Sequence, residues 1–442
     1  MKINAVINSE KRALDGLADI HVLHENGQDY QLDLPFRDLY QRCGVPSLRV
    51  LDLLVTASVC YVVDKTVTRS SAENGWTREL EVSVPVSEPK AWSKVAGELA
   101  ETLSFLTGDE WTMSFRKVEG ELFEPPKGKP LPLQVDSGLK TVCLFSGGLD
   151  SLGGAIDLLS DAKNGKVLLI GHYDGAGPRS VQVRLAAELE KAYPNHFAVE
   201  HIRVAHRPAE AAEETLRSRS LVFIALGLYG AQAAGPNTPL YMFENGFIAL
   251  NVPLTPSRRG SCSTRTMHPY FLYRLRAIIA ALGITNPIIN PYGLKTKGEC
   301  VAECKNKLLL ARLADISVSC SHSSRHQHWV RTTAKNCGYC VPCICRRAAL
   351  FKAGLDNGQD YGRDIIAGEL TVEDQMGSAN DLRAVTDFLN SSPTEADLRK
   401  KILAVARFPD LDAHAQLALR GIAELKRFLN SKAAKVASRK HA

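Results

Sequence analysis

The period of apolar and polar positions changes along the chain and divides it into three stretches. Residues 1–135 mix alternating runs with helical ones. His21-Val22-Leu23 and Leu80-Glu81-Val82-Ser83-Val84-Pro85-Val86 alternate as strands do, and Leu48 to Val63 has the spacing of a buried helix. A helix over Trp92–Leu106 and a strand over Trp111–Val118 follow. The run Glu124-Pro125-Pro126-Lys127-Gly128-Lys129-Pro130-Leu131-Pro132 cannot sustain regular structure and reads as a linker. No catalytic motif lies in this stretch, which is expected to be an N-terminal α+β accessory domain.

From Thr141 strands alternate with amphipathic helices, the pattern of a parallel sheet covered on both faces. The predicted strands are Thr141–Phe145, Val167–His172, Val199–Ala205, Leu240–Phe243 and a short one at Ile288-Ile289. The predicted helices are Leu152–Ser160, Ser180–Ala192, Ala209–Thr215, Ser220–Ala234 and His268–Leu282. Ligands of such sheets sit at the carboxyl ends of the strands. Ser146–Ser151, Tyr173-Asp174-Gly175 and Glu244-Asn245-Gly246 all lie at such ends, so the three are expected to converge. This α/β domain is expected over 136–355. Residues 356–442 read as a helical region, with helices at Thr371–Asp374, Ala379–Asn390, Thr394–Val405 and Ala413–Leu429. Its last residues, Ser431 to Ala442, read as a frayed basic tail carrying Lys432, Lys435, Arg439 and Lys440.

Composition narrows the class. The 442 residues are 45% hydrophobic, enough for a sizeable core, and the net charge of +6 suits anionic nucleotides but is too weak and dispersed for a nucleic-acid groove. No apolar run is long enough to span a membrane, and Met1-Lys2-Ile3-Asn4 lacks the regions of a signal peptide, so the expected compartment is the cytoplasm. Eleven cysteines are many for a reducing compartment, and four of them fall within nine residues, which favours a metal over disulfides.

Two motifs carry chemistry. Thr141-Val142-Cys143-Leu144-Phe145 empties into Ser146-Gly147-Gly148-Leu149-Asp150-Ser151. Adjacent glycines let backbone N–H groups converge on an anion, and Asp150 or Ser151 can cap the helix that follows. The chain holds no Gly-Lys-Ser or Gly-Lys-Thr, so this is not the P-loop of kinases and GTPases. In the second motif, Cys337-Gly338-Tyr339-Cys340-Val341-Pro342-Cys343-Ile344-Cys345, two overlapping Cys-x-x-Cys steps can wrap one soft tetrahedral ion. Cys345 is too close to Cys343 for easy joint ligation. Cys320 is the better fourth ligand, with His322, His326 or His328 as substitutes. The expected ion is a structural zinc, with an iron–sulfur cluster or metal-free buried thiols as competing readings. Cys300 and Cys304 read as core residues.

Together these motifs resemble the 7-cyano-7-deazaguanine synthase family of queuosine biosynthesis, the QueC-like proteins. Ser146, Gly147, Gly148, Asp150 and Ser151 fall on that family's pyrophosphate loop, and Tyr173, Asp174 and Gly175 on its Tyr-Gly segment. Arg219 resembles its Arg-Asn step, with Ser220 in place of asparagine. Lys297 and Glu299 resemble its Lys-x-Glu helix start. Cys320, Cys337, Cys340 and Cys343 match its four zinc ligands, and Arg346 the arginine after them. The resemblance covers roughly residues 140 to 350. It breaks at the insertion Gly175-Ala176-Gly177-Pro178-Arg179, at the long first gap between zinc ligands, and around Glu244–Asn251 and Ser263–Pro269. These departures and the flanking regions are more similar to the QueC-like component of the Qat anti-phage systems.

The resemblance implies a PP-loop ATP pyrophosphatase (HUP-like) fold with a zinc element over 320–346, and ATP, Mg2+ and Zn2+ as cofactors. ATP would be cleaved to AMP and pyrophosphate as it adenylates a carboxylate, that of a 7-deazaguanine, for attack by ammonia or by an amine of a partner protein. Asp150, Ser151 and Arg219 would be catalytic, and Ser146, Gly147, Gly148 and Tyr173 would join them in holding nucleotide. Glu244, Asn245, Arg265, His268 and Lys297 are the substrate candidates, although His268 is as well suited to a helix cap. The rivals are the housekeeping synthase, a tRNA-modifying adenylating enzyme and a non-catalytic ATP sensor or scaffold. Nucleic-acid and membrane partners are not expected, and homo-oligomerisation is left open.

Overall fold

The computed structural model describes residues 1–12, 17–34, 36–124, 138–173, 175–254, 265–323 and 326–440. Most of the linker, Asp174 and part of the segment before His268 therefore lie outside the described residues.

The N-terminal region holds β1 (Lys2–Arg12), β2 (Ala18–His24), β3 (Asp29–Asp33), α1 (Phe36–Cys43), α2 (Leu48–Thr66), β4 (Glu79–Val86), α3 (Pro89–Thr107) and β5 (Glu110–Lys117). The strands form a mixed sheet in the order β5-β4-β1-β2-β3, to which a sixth strand is added from far along the chain. That strand, β9 (Ala205–Arg207), pairs antiparallel with β3, Leu32 opposite His206. Helix α2 is buried around nearly its whole circumference, as expected of a helix apolar on all sides.

The next stretch supplies β6 (Leu139–Leu144), α4 (Leu149–Leu159), β7 (Lys166–His172), α5 (Ala176–Ala192), β8 (Phe197–Ile202), α6 (Arg219–Ala234), β10 (Leu240–Tyr241), α7 (Gly246–Leu250), α8 (Pro269–Ala281), β11 (Ile288–Ile289), α9 (Lys297–Glu303) and α10 (Lys307–Ala314). Five of its strands form a wholly parallel sheet, β11-β10-β6-β7-β8. Alternation along each strand sends side chains to opposite faces. Val142, Leu144, Leu168 and Ile170 pack toward α6 and α8, in one core shared with α2 and the mixed sheet. Cys143, Phe145, Val167 and Leu169 pack toward α4, α5, α9 and α10.

The C-terminal stretch is helical: α11 (Val341–Lys352), α12 (Asn380–Asn390), α13 (Glu395–Leu403) and α14 (Leu411–Lys440). Leu382, Val385, Phe388, Ala418, Ile422 and Leu425 join the cysteine segment in a third apolar cluster. The architecture is thus an N-terminal α+β region, a parallel-sheet PP-loop (HUP-like) core with a four-cysteine element, and a helical C-terminal region.

Three expectations fail. Ala209–Thr215 is not helical. Its Glu213 N–H donates to the Lys65 carbonyl at 3.0 Å, and its Thr215 Oγ1 donates to Asp64 at 3.2 Å. These contacts with the end of α2 outweigh a helix propensity worth tenths of a kcal/mol per residue. Thr371–Asp374 is a turn closed by the Asp374 carboxylate, which accepts from the Thr371 N–H at 2.6 Å. The C-terminal segment is no frayed tail up to Lys440, because α14 continues to that residue.

Candidate functional site

In the parallel sheet the chain runs outward from β6 through β7 to β8, then returns to the other side of β6 for β10 and β11. The order reverses between β6 and β10, which opens a crevice beyond their carboxyl ends where ligands of such sheets bind. The loop after β6 is Phe145–Gly148 and the loop after β10 reaches Asn245. A cleft of about 240 Å³ lies there, lined by Ser146, Gly148, Asp150, Ser151, Glu244 and Lys297.

The loop is shaped by local bonds. Gly147 sits at φ +84°, and a side chain there would be strained and would press Val181. The Ser146 hydroxyl donates to Ser151 Oγ at 3.0 Å and accepts from the Gly148 N–H at 3.3 Å. Gly148 occupies the N-cap of α4 without a side-chain cap, so the Asp150 and Ser151 N–H groups of the first turn have no intrahelical acceptor. Buried Gln182 donates to the carbonyls of Ser146 at 3.3 Å and His172 at 3.1 Å, holding the loops after β6 and β7 together.

Asp150 faces the cleft from inside the fold. Its Oδ1 accepts from the Lys297 ammonium at 2.6 Å and its Oδ2 from the Asn245 side-chain amide at 2.8 Å. Both partners of the ion pair are nearly inaccessible, at 5% and 7% side-chain exposure. The Glu244 carboxylate has no hydrogen-bond partner among the described residues. Burial, and then the charge of Asp150, push its carboxyl above the usual carboxylate range. Lys297 is held charged against desolvation by Asp150 and Glu244.

Lys297 owes its place to a chain of caps. Thr296 and Glu299 form a capping box at the start of α9. Glu424 of α14 accepts from the Thr296 hydroxyl at 2.6 Å and the Gly298 N–H at 3.1 Å. Gln182, Ser319 and Glu424 were not singled out in the sequence. The Thr296-x-x-Glu299 spacing, a capping-box pattern, is the sequence signal that could have pointed to this buttress.

Not every predicted residue joins the cleft. Arg219, the first residue of α6, donates from Nε to His172 Nδ1 at 3.1 Å and from its guanidinium to the His172 carbonyl at 2.9 Å, at the end of β7. Tyr173 follows the same strand, its N–H bonded to the Ile202 carbonyl, and neither residue lines the cleft. Arg265 turns to α3, donating to the Phe105 carbonyl at 2.9 Å and lying over the Phe105 ring. His268 caps α8: its Nδ1 accepts from the Tyr270 N–H at 3.1 Å, and its ring is packed between Phe105 and Phe408.

Burial lowers the His268 imidazole to about 3. The sign follows: the neutral ring's contribution is complete above the unfolded value of 6.5 and is lost as pH falls toward 3. Between pH 6.5 and 5 the loss is about 2 kcal/mol. His268→Asn, which keeps a capping oxygen, is expected to flatten the fall in melting temperature over that interval. An unchanged slope would remove His268 as its source.

The four thiols of Cys320, Cys337, Cys340 and Cys343 lie within 4.8 Å of one another. Cys337 and Cys343 sulfurs are 3.7 Å apart and those of Cys320 and Cys340 4.0 Å. Tetrahedral zinc with Zn–S bonds of about 2.3 Å needs sulfurs about 3.8 Å apart, so the donor set fits a closed zinc site. Cys337 and His322 donate backbone N–H groups to Cys320 Sγ, each at 3.3 Å, and Gly338 turns between ligands at φ +90°. Cys320 completes the set of four thiols that could hold an ion, and Cys345 lies apart in an apolar chamber. Cys300 and Cys304 are core residues as expected.

The thiol cluster also touches the phosphate loop. Just before Cys320, the Val318 N–H donates to the Gly147 carbonyl at 3.0 Å, and Ser319 Oγ accepts from the Leu149 N–H at 3.2 Å. Asn336, just before Cys337, fixes that segment by accepting from the Ser319 N–H at 3.0 Å. Arg346 ties α11 to the end of α10 through the Ala314 carbonyl at 2.6 Å.

The parallel sheet and the four thiols able to hold a metal are consistent with a PP-loop-type, ATP-utilising fold. No helix among the described residues is long and apolar enough to cross a membrane. No family model, no curated protein and no solved structure matches the chain.

Proposed function

We propose that the chain is a QueC-like enzyme that consumes ATP to form AMP and pyrophosphate while activating a carboxylate, that of a 7-deazaguanine, for attack by a nitrogen nucleophile. The observation that carries this reading is the glycine loop at the strand-order reversal, opposite Glu244 and Lys297 in one cleft. The loop amides and the first turn of α4 would seat the pyrophosphate. The acid's oxygen attacks the α-phosphorus and the bond to the β-phosphate oxygen breaks, giving acyl-AMP and pyrophosphate. The nitrogen nucleophile then displaces AMP and releases one proton. Positioning and charge neutralisation dominate such chemistry. The extra N-terminal and C-terminal regions favour a defence setting in the cytoplasm, with the nucleophile an amine of a partner protein.

An all-oxygen donor set suits magnesium. Glu244, free of protein donors among the described residues, and the remaining lone pair of Asp150 Oδ1 would hold the ion, which neutralises phosphate charge when bound. Lys297, bonded to Asp150 Oδ1 at 2.6 Å, holds that carboxylate aimed. Arg219, one strand away, would meet the outer phosphates.

The test is to incubate the protein with 7-carboxy-7-deazaguanine, ATP and magnesium, with ammonia or with candidate partner proteins, and to follow AMP, pyrophosphate and product mass. AMP with ammonia alone marks the biosynthetic reaction, and a partner mass gain marks ligation. ATP binding without AMP under any condition refutes the enzyme and leaves a sensor.

Glu244 gives a separate prediction. Its folded pKa lies above its unfolded value of 4.5, so its protonated form's contribution is complete below that value and is lost as pH rises through the folded one. Glu244→Gln is therefore expected to be more stable than the natural chain at pH 8, by roughly 1–3 kcal/mol. It should also lose about 100-fold in AMP formation. Thermal denaturation at pH 5 and pH 8 checks the first; equal stability at both would show that Glu244 is not strained by burial.

A further inference from the structure

We infer that strand β5, at the edge of the mixed sheet, docks a second copy of this chain, the two β5 strands pairing antiparallel about a two-fold axis at Met113. β5 ends the sheet, paired on one side with β4 along its whole length. The Glu110 N–H donates to the Arg78 carbonyl at 2.8 Å and the Val118 N–H to the Val86 carbonyl at 3.0 Å, both on the β4 side. Main-chain groups of alternate residues in a strand point the same way. The even-numbered residues of β5 therefore bond to β4, and Trp111, Met113, Phe115 and Lys117 turn their N–H and carbonyl groups outward. Of these outward groups only the Trp111 N–H has a partner among the described residues, Ser104 Oγ of α3 at 3.1 Å.

Such an edge is a template for another strand, and its side chains select which one. A two-fold axis sets each residue opposite the one equally far from Met113 on the other side. On the exposed face Glu110 then lies opposite Arg116 of the second copy, and Thr112 opposite Ser114. On the inner face Trp111 lies opposite Phe115, and buried Met113 opposite itself. Glu110 makes no ion pair among the described residues. Arg116 meets Ser83 Oγ at 2.9 Å and the Ala5 carbonyl but no carboxylate. The symmetric pairing gives each of them an opposite charge, and does so twice.

The same register turns the outward main-chain groups of the two strands toward one another, for roughly six hydrogen bonds, two of which replace the bond to Ser104. Neighbouring registers do not join the charges. With the axis at Thr112, Glu110 falls opposite Ser114; with it at Ser114, Trp111 falls opposite Lys117. A ladder displaced so that the faces no longer match would set exposed side chains against buried ones.

Sedimentation velocity of the full chain is expected to show a dimer. Glu110→Arg sets arginine against arginine, and Arg116→Glu sets glutamate against glutamate, so each variant alone should self-associate at least tenfold more weakly. Mixed in equal amounts, the two variants regain both charge pairs in the heterodimer and should recover the natural affinity. Should Arg116→Glu not fold, amide exchange on the natural chain decides: the N–H groups of Met113 and Phe115 should exchange more slowly as protein concentration rises through the dimer range. The inference is overturned if single variants associate like the natural chain, if their mixture stays monomeric, or if those two amides exchange at a rate independent of concentration. A natural chain that sediments only as a monomer overturns it too, and leaves the edge to a strand from another protein.

Discussion

Asp150→Asn is expected to lower AMP and pyrophosphate formation by about 10²–10³-fold while leaving ATP binding within tenfold of the natural chain. The amide can still share a hydrogen bond with Asn245 but cannot balance the Lys297 ammonium held 2.6 Å away. Breaking a buried ion pair ordinarily costs about 3–5 kcal/mol. Here the cost should be smaller, because Glu244 stands beside the same ammonium and its ionisation is opposed by the Asp150 charge. With that charge gone, one of the two causes that oppose Glu244 ionisation is removed, although burial still opposes it, and Glu244 is the nearest group able to serve as counter-ion. The fold survives, but the cleft then carries its negative charge in the wrong place. Single-turnover AMP formation and a melting curve together check this, and undiminished turnover would remove Asp150 from the mechanism.

Loss of the metal should be felt more widely. Structural zinc sites bind with apparent free energies of about 10–16 kcal/mol in small peptides, comparable to or larger than the total stability of about 5–15 kcal/mol of a typical domain. Cys340→Ser, or stripping with a strong chelator, is expected to abolish stoichiometric metal content and to expose the α12–α14 layer to limited proteolysis. That layer packs directly on Cys337, Cys340 and Cys343. ATP affinity should fall too, since the segment ending at Cys320 is bonded to Gly147 and Leu149. A stripped protein that keeps its protease resistance and ATP affinity would show that the thiols pack without an ion.

The glycine loop and the cysteine segment were legible because each is encoded within a few residues. So were the parallel strands, whose apolar runs are bounded by turn residues. Contacts between distant residues were not. Lys297 and Asp150 are 147 positions apart, and nothing in either neighbourhood announces a buried ion pair. Ala209–Thr215 reads as helix because its residues favour one, yet its bonds to the end of α2 hold it in an irregular path. His268 could be read equally as catalyst or cap until Tyr270 and two aromatic rings were placed around it. Arg219 reads as a phosphate ligand, and its anchoring to His172 at the end of β7 is another such contact between distant residues.

The pairing of β3 with β9 joins Asp33 to Ala205 and so imposes an order of events on synthesis. While the ribosome adds roughly 5–20 residues per second, β3 waits some ten seconds or more as an open sheet edge before its partner strand emerges. Open edges template association between chains. The nascent N-terminal half therefore carries an exposed strand edge until β9 emerges, and a gene truncated between these strands should yield inclusion bodies rather than a free-standing N-terminal piece.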